Sequence, residues 1–294
     1  MEKIVPNLWY DKEAKEAAQF YTSLFPKSKI TNVTTLHNTP SGDCDIVSFT
    51  LSGREFMAIS AGPIFNLNPS ISFIVGCETK EEIDKLWSEL SKNGKILMPL
   101  DKYPFSDRYG WAQDKYGLSW QLILTKPEGE HRPKIVPFLL FVGDVCGKAE
   151  EATKFYFSVF KKSKSGQIVK YGKNQPPDKE GTVMFSDFMI NDTWFAAMDS
   201  AAGHQFKFNE AISLMVYCKD QEEIDYYWEK LSAVPESEQC GWLKDKYGVS
   251  WQVVPNDMNE MMKNGTPEQI NRLTQALLPM KKFDIAKLKT AYEG

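Results

Sequence analysis

Residues Gly110–Ile123 read GWAQDKYGLSWQLI, and the phrase returns at Gly241–Val254 as GWLKDKYGVSWQVV. Nine of the fourteen positions are identical. Each copy reads as a hairpin. Asp114-Lys-Tyr-Gly117 suits a type I turn, with Gly117 taking the left-handed position. The returning strand carries Ser-Trp-Gln and then two aliphatic residues. An uncharged amide, Gln121 or Gln252, therefore stands inside an otherwise apolar strand, twice.

Other blocks repeat in the same order. Phe20-Tyr-Thr-Ser-Leu-Phe25 matches Phe155-Tyr-Phe-Ser-Val-Phe160. Ile71-Ser72-Phe73 followed by Glu81-Glu82-Ile83-Asp84 matches Ile212-Ser213-Leu214 followed by Glu222-Glu223-Ile224-Asp225. Val5-Pro6 matches Val136-Pro137. The chain is a tandem duplication, and PEGEHRP at 127–133 reads as the linker.

Within a half the periods are clear. Val5 to Tyr10 is a short strand. From Asp11 to Phe25, apolar residues at Ala14, Ala17, Ala18, Tyr21 and Leu24 have helical spacing, and Pro26 ends the run. Strands follow near 30–36, 46–51 and 55–60. The order then restarts with a strand at 71–75 and a helix at 80–92, and the hairpin closes it. Each half is βαβββ twice over. The tail adds Thr266-Pro-Glu-Gln269, a capping box with proline at the first helical position. Asp284 is expected to cap a last helix. The tail's apolar face is expected on the second barrel, with a dimer contact as the other reading.

Composition is that of a globular chain of about two domains: 294 residues, 42% hydrophobic, 25% charged, 13% aromatic. Net charge is −4 and the basic residues are spread out. That argues against a nucleic-acid partner, which needs a basic footprint. No apolar run reaches the roughly 20 residues that span a bilayer. The charged N-terminus lacks a signal-peptide core, so the expected location is cytoplasmic, without a membrane partner. Five scattered cysteines without C-x-x-C read as reduced thiols.

PNLWYD at 6–11, EAAQFYTSLFP at 16–26, MPLDKYPFSDRYGW at 98–111 and DKYGLSWQL at 114–122 resemble the vicinal oxygen chelate superfamily, the glyoxalase/bleomycin-resistance fold. Within it they resemble the PhnB-like, demethylubiquinone methyltransferase-like branch. The resemblance implies an α+β fold of four βαβββ modules forming two open barrels, plus a C-terminal helical tail. The expected domains are 1–126, a linker at 127–133, a shortened second domain at 134–256 and a tail at 257–294.

The resemblance also implies metal positions on the first, fourth, fifth and eighth strands of a barrel. Carried over, they fall at Pro6, Ala58 to Ser60, Ser70 and Gln121, and at Pro137, Ala196 to Met198, Ala211 and Gln252. Proline and alanine bring no donor, and an amide oxygen is weak. Three histidines, His37, His131 and His204, cannot furnish two such sites. The expectation is no metal and no cofactor.

Gln121 then has two readings. It is a polar probe in a pocket, or it bonds a neighbouring strand or an internal water. Alternation sends Trp120 and Trp251 towards the helices. It puts Leu8 and Tyr10 on the cavity side with Pro6 and sends Trp9 to the helix, an assignment that a one-residue slip reverses. Trp111 and Trp242 either wall a pocket mouth or pack. The first half keeps ten more residues before its hairpin. That segment offers Tyr103 and Phe105 as walls, and Asp107 and Arg108 as charged contacts.

Three functions compete. The first is a metal-free protein that binds a small organic molecule in the first barrel. The second is a metal-independent lyase or transferase, with Tyr103, Asp107 or Asp114 as acid–base groups. A methyltransferase is disfavoured because no G-x-G-x-x-G loop joins a strand to a helix; Gly143 and Gly147 come nearest. The third is a structural pseudo-dimer. A homo-oligomer stays open.

Overall fold

The computed structural model describes residues 3–125 and 132–294. Most of the expected linker, with His131, lies outside the described residues. The first module holds β1 (Ile4–Tyr10), α1 (Ala14–Leu24), β2 (Lys29–Thr39), β3 (Gly42–Leu51) and β4 (Arg54–Ser60). The second holds β5 (Ile71–Cys77), α2 (Lys80–Leu90), β6 (Lys95–Tyr103), β7 (Ser106–Gln113) and β8 (Ser119–Leu124). The third holds β9 (Ile135–Phe141), α3 (Ala149–Val159), β10 (Lys164–Lys170), β11 (Val183–Ile190) and β12 (Thr193–Asp199). The fourth holds β13 (Ile212–Cys218), α4 (Gln221–Leu231), β14 (Trp242–Lys244) and β15 (Ser250–Pro255). The tail forms α5 (Asp257–Asn264), α6 (Pro267–Leu277) and α7 (Ile285–Glu293). The first three modules are βαβββ as expected; the fourth is βαββ, because its shortened hairpin segment leaves only β14 and β15 after the helix.

The modules combine across the two repeats. One compact unit is Met1–Asn66 with Asn209–Gly294, and the other is Leu67–Phe208. The first unit's sheet runs β14-β15-β13-β1-β4-β3-β2, so it joins the first module to the fourth. The second unit's sheet runs β10-β11-β12-β9-β5-β8-β7-β6, so it joins the second to the third. The seams are antiparallel: Ile4 faces Val216 and Leu8 faces Ile212 in one, Ile71 faces Leu139 and Val75 faces Ile135 in the other. The two barrels expected within 1–126 and 134–256 are thus replaced by two exchanged ones. The leading strand of a module has a bare edge, and any equivalent edge satisfies its backbone groups.

Each hairpin is locked by its aspartate. Asp114 Oδ1 accepts the N–H groups of Tyr116 (2.8 Å) and Leu118 (3.1 Å), and Oδ2 accepts the Trp120 indole N–H at 2.8 Å. Asp245 does the same for Tyr247, Val249 and Trp251. Gly117 has φ +87° and Gly248 +86°, the left-handed turn that glycine adopts without strain. Trp120 and Trp251 are fully buried in the helix-side core, as alternation requires. The repeated phrase is first a folding device, and Asp114 is spent on it.

β1 has the opposite phase to the expected one. Tyr10 Oη lies 3.1 Å from Tyr21 Oη on α1, so Tyr10 and Leu8 face the helix. Three alanines of α1, Ala14, Ala17 and Ala18, are buried beside Tyr21. Trp9 faces the other way. Strand β1 is buried on both faces, so hydrophobic alternation carried no signal there.

The tail keeps its capping box, and Asp284 accepts the Lys287 N–H. It docks on both modules of the first unit. Thr34 Oγ1 of β2 donates to the Met262 carbonyl (3.1 Å), and the Cys240 and Gly241 N–H groups donate to Met280 and Lys281 (2.7 Å each). Among the described residues no helix is long and apolar enough to cross a membrane.

All five cysteines are free thiols. Burial pushes Cys44, Cys77 and Cys218 up to about 12. At about pH 8 only about one in 10⁴ of such groups is thiolate. Iodoacetamide is therefore expected to modify at most Cys146 and Cys240 in the folded protein. Intact mass after labelling checks it; a third adduct without unfolding would contradict it.

Candidate functional site

Each unit has a sheet face turned away from its α1–α4 helices, and these inner faces differ sharply. In the second unit the face is apolar. Val136, Phe138 and Leu140 of β9 form a buried cluster with Trp194 and Ala196 of β12. Ile74, Trp111, Phe185, Met189, Met198 and Phe206 pack around it and remain partly exposed. The Arg132 guanidinium stacks 3.6 Å from the Trp194 ring centroid and pairs with Asp187 at 2.7 Å.

Gln121 lies within this face, between Trp111 on β7 and Ile74 on β5. It is 5% exposed. Its Oε1 accepts the Tyr109 hydroxyl (2.8 Å), and its Nε2 donates to Ser72 Oγ (2.8 Å). Both bonds are to side chains, so the amide is oriented from two sides. Burial pushes the Tyr109 phenol up, which keeps it a donor. One N–H and one lone pair of Gln121 remain beyond these two bonds. The Trp111 indole donates to Ser119 Oγ at 2.8 Å.

The long hairpin places its candidates differently from one another. Tyr103 and Phe105 stack on each other and meet Tyr109 edge-on, which fixes the Gln121 partner. Asp107 pairs with Lys102 in an exposed position. Arg108 points to the helix side, where Nε bonds Asp84 of α2 at 2.7 Å. Arg108 is thereby turned away from the inner face, while Asp107 stands exposed at the β6–β7 tip. Leu8 and Tyr10 belong to the other unit and to its helix side, so they leave the site. Phe138, Trp194, Phe206 and Arg132 were missed, because they come from the second repeat and became neighbours of Gln121 only through module exchange.

In the first unit the inner face is mixed, with polar side chains set among Val5, Met57 and Met215. Asn7 of β1, Ser213 of β13, Ser250 of β15 and Lys244 of β14 stand opposite one another across four strands. Gln252 Nε2 donates to Ser213 Oγ at 2.7 Å. Trp242 lies 6.4 Å from Trp9, ring centre to ring centre. The tail covers the far end of this face, where Asn259 of α5 bonds the Tyr217 hydroxyl. A groove of about 310 Å³ runs between β2 and α6, lined by Thr34, His37, Met262 and Ile270 among others.

The donor set can be compared with what a metal ion needs. On the first unit's central strands the inner-face residues are Asn7, Met57, Ser213 and Gln252; on the second's they are Phe138, Ala196, Ser72 and Gln121. Pro6, Ala58, Ser60 and Pro137 fall on the helix side, one residue out of phase. Neither set offers an imidazole or carboxylate, so neither fits Zn²⁺, Ni²⁺ or Fe²⁺. Among the described residues no three His, Cys, Asp or Glu side chains converge as a metal site.

Modules paired in this way give a glyoxalase-like fold. Glyoxalase I from Zea mays shares that fold: TM-score 0.53 at 13% identity, over 89% of this chain and 95% of that one. The chain belongs to the 3-demethylubiquinone-9 3-methyltransferase family, whose model matches residues 2–123 and again 133–254. A PhnB protein from Bacillus cereus is 44% identical, with all of its length covering 42% of this chain (TM-score 0.40). No protein of curated function matches the sequence.

Proposed function

We propose that the second unit binds a small, uncharged, mainly apolar organic molecule on its inner face, without a metal ion. The observation that carries this reading is the ring of partly exposed apolar side chains around an oriented, buried glutamine. Such surface gains roughly 25 cal/mol per Å² when a ligand covers it. Trp111, Trp194 and Phe206 favour a flat ring, and Gln121 supplies one donor and one acceptor for a carbonyl or hydroxyl.

The family's description names methyl transfer to a demethylubiquinone. A quinone ring suits this face. Methyl transfer is not supported. Both sheets are mixed, and no glycine-rich loop joins a strand to a helix for a nucleoside cofactor. Binding without transfer is therefore the reading that fits.

The test is tryptophan-fluorescence titration with a short-tailed ubiquinone. A saturable quench with Kd of roughly 10–100 µM is expected for about 20 ligand atoms. Phe138→Arg should abolish it. Gln121→Leu should weaken the quinone roughly ten-fold, about one hydrogen bond, and leave naphthalene binding unchanged. No saturable quench, or an unaffected Phe138→Arg variant, would favour the structural pseudo-dimer instead.

A further inference from the structure

The two inner faces are related by duplication, and two substitutions separate them chemically. Phe138 of the second unit corresponds to Asn7 of the first. Tyr109, which donates to Gln121, corresponds to Cys240, whose Sγ turns instead to the carbonyls of Leu277 and Leu278. Gln252 thus lacks the tyrosine partner of Gln121.

A third difference is geometric. Trp111 donates to Ser119, but their counterparts Trp242 and Ser250 do not bond each other. Asn7 Oδ1, Trp242 Nε1 and Ser250 Oγ are all buried without a hydrogen-bond partner in the protein. Asn7 is 2% exposed and Ser250 is 0%. Buried polar atoms are nearly always paired, and leaving one unmet costs roughly 1–3 kcal/mol. Three on one face of one sheet are not explained by the fold, since the sister face has none among the described residues.

From these atoms we infer that the first unit's inner face is a second binding site, for a small neutral molecule with both a hydrogen-bond donor and an acceptor. Asn7 Oδ1 requires a donor. The Trp242 N–H requires an acceptor. Ser250 Oγ takes either. Lys244 pairs with Glu210 at 2.7 Å at the rim, so its charge is already met, and the Glu55 carboxylate lies towards Tyr217 at the tail end of the face. An anion would be desolvated there without a free counter-charge, so anionic ligands are disfavoured. Trp9 supplies a rigid wall: its indole N–H bonds the Gly62 carbonyl (2.7 Å), and Phe65 packs on it edge-on. A hydroxy-amide or a similar hydroxy-carbonyl compound is the class that fits. This site is chemically distinct from the apolar face of the second unit and does not depend on it.

The test uses the whole chain and lactamide as the probe. The eight indole N–H signals are followed in a ¹⁵N-correlation spectrum, with Trp242 assigned by Trp242→Phe. Lactamide is expected to move the Trp242 signal saturably and to leave the Trp111 signal in place. Asn7→Leu should weaken the effect about ten-fold or more. Ser250→Ala, which removes only an unpaired hydroxyl, should fold normally and weaken it several-fold. Lactate should bind at least about ten-fold more weakly, since an unpaired charge would be buried. The inference is overturned if lactamide leaves Trp242 unmoved. It is also overturned if both variants respond like the parent, or if a crystal soaked with lactamide shows only an internal water at Asn7, Trp242 and Ser250.

Discussion

A chain cut to residues 1–126 is expected to assemble as a dimer and to have no stable monomer. It would hold the first and second modules and neither of their partners. β1 would lose the strand that pairs it from Ile4 to Leu8, and β5 the strand that pairs it from Ile71 to Val75. It would also lose the tail that bonds β2 through Thr34. Two buried strands would become open edges, and open edges recruit strands. Two copies can satisfy each other, the first module of one against the second of the other, because the second repeat carries the same edge chemistry. Light scattering coupled to size exclusion gives the answer. Twice the chain mass, with cooperative unfolding that depends on concentration, is the expected result. A compact monomer would show that the two modules close in cis.

The second large effect falls on the hairpin aspartates. Asp245 is fully buried and holds three donors: the Tyr247 and Val249 N–H groups and the Trp251 indole. Asp245→Ala leaves all three unmet inside the core. At roughly 1–3 kcal/mol each, partly relieved by relaxation, a loss of about 4 kcal/mol is expected. Asp245→Asn keeps one acceptor and should lose about half as much. Hydrogen exchange locates the damage. Protection should fall in β15, β13 and, across the seam, in β1. Asp114→Ala should act in β8, β5 and β9 and spare β1. A loss under about 1 kcal/mol would mean the aspartate only decorates a turn. Damage spreading from Asp245 to β9 in place of β1 would contradict the exchanged pairing.

The helix α6 was legible to its cap, because Thr266 and Gln269 bond each other's backbone within four residues. The direction of Trp120 was legible because it alternates with the polar Gln121, although β8 is buried on both faces there. The phase of β1 was not. Its residues are buried on both sides, so no contrast marked the cavity, and the Tyr10–Tyr21 hydroxyl pair decides it. Arg108 looked available because its partner, Asp84, lies 24 positions back on a helix. Gln121 looked like a pocket residue or a packing residue. It is tied by two side-chain bonds and keeps capacity for a third.

The sequence by itself determined the duplication, the order of helices and strands in the repeated modules and the tight turn of each hairpin. All of these depend on residues near one another in the chain, or on side-chain chemistry alone. The choice of partner module was left to the tertiary structure. β1 and β9 both begin Ile-Val-Pro, and β5 and β13 both begin Ile-Ser. Pairing within a repeat and pairing across repeats therefore bring the same residue types face to face, Pro6 on Leu214 in one seam and Pro137 on Phe73 in the other. Equal local chemistry cannot choose between them. The choice nonetheless decides which aromatic residues surround Gln121, and which three polar atoms are left unpaired on the first unit's inner face.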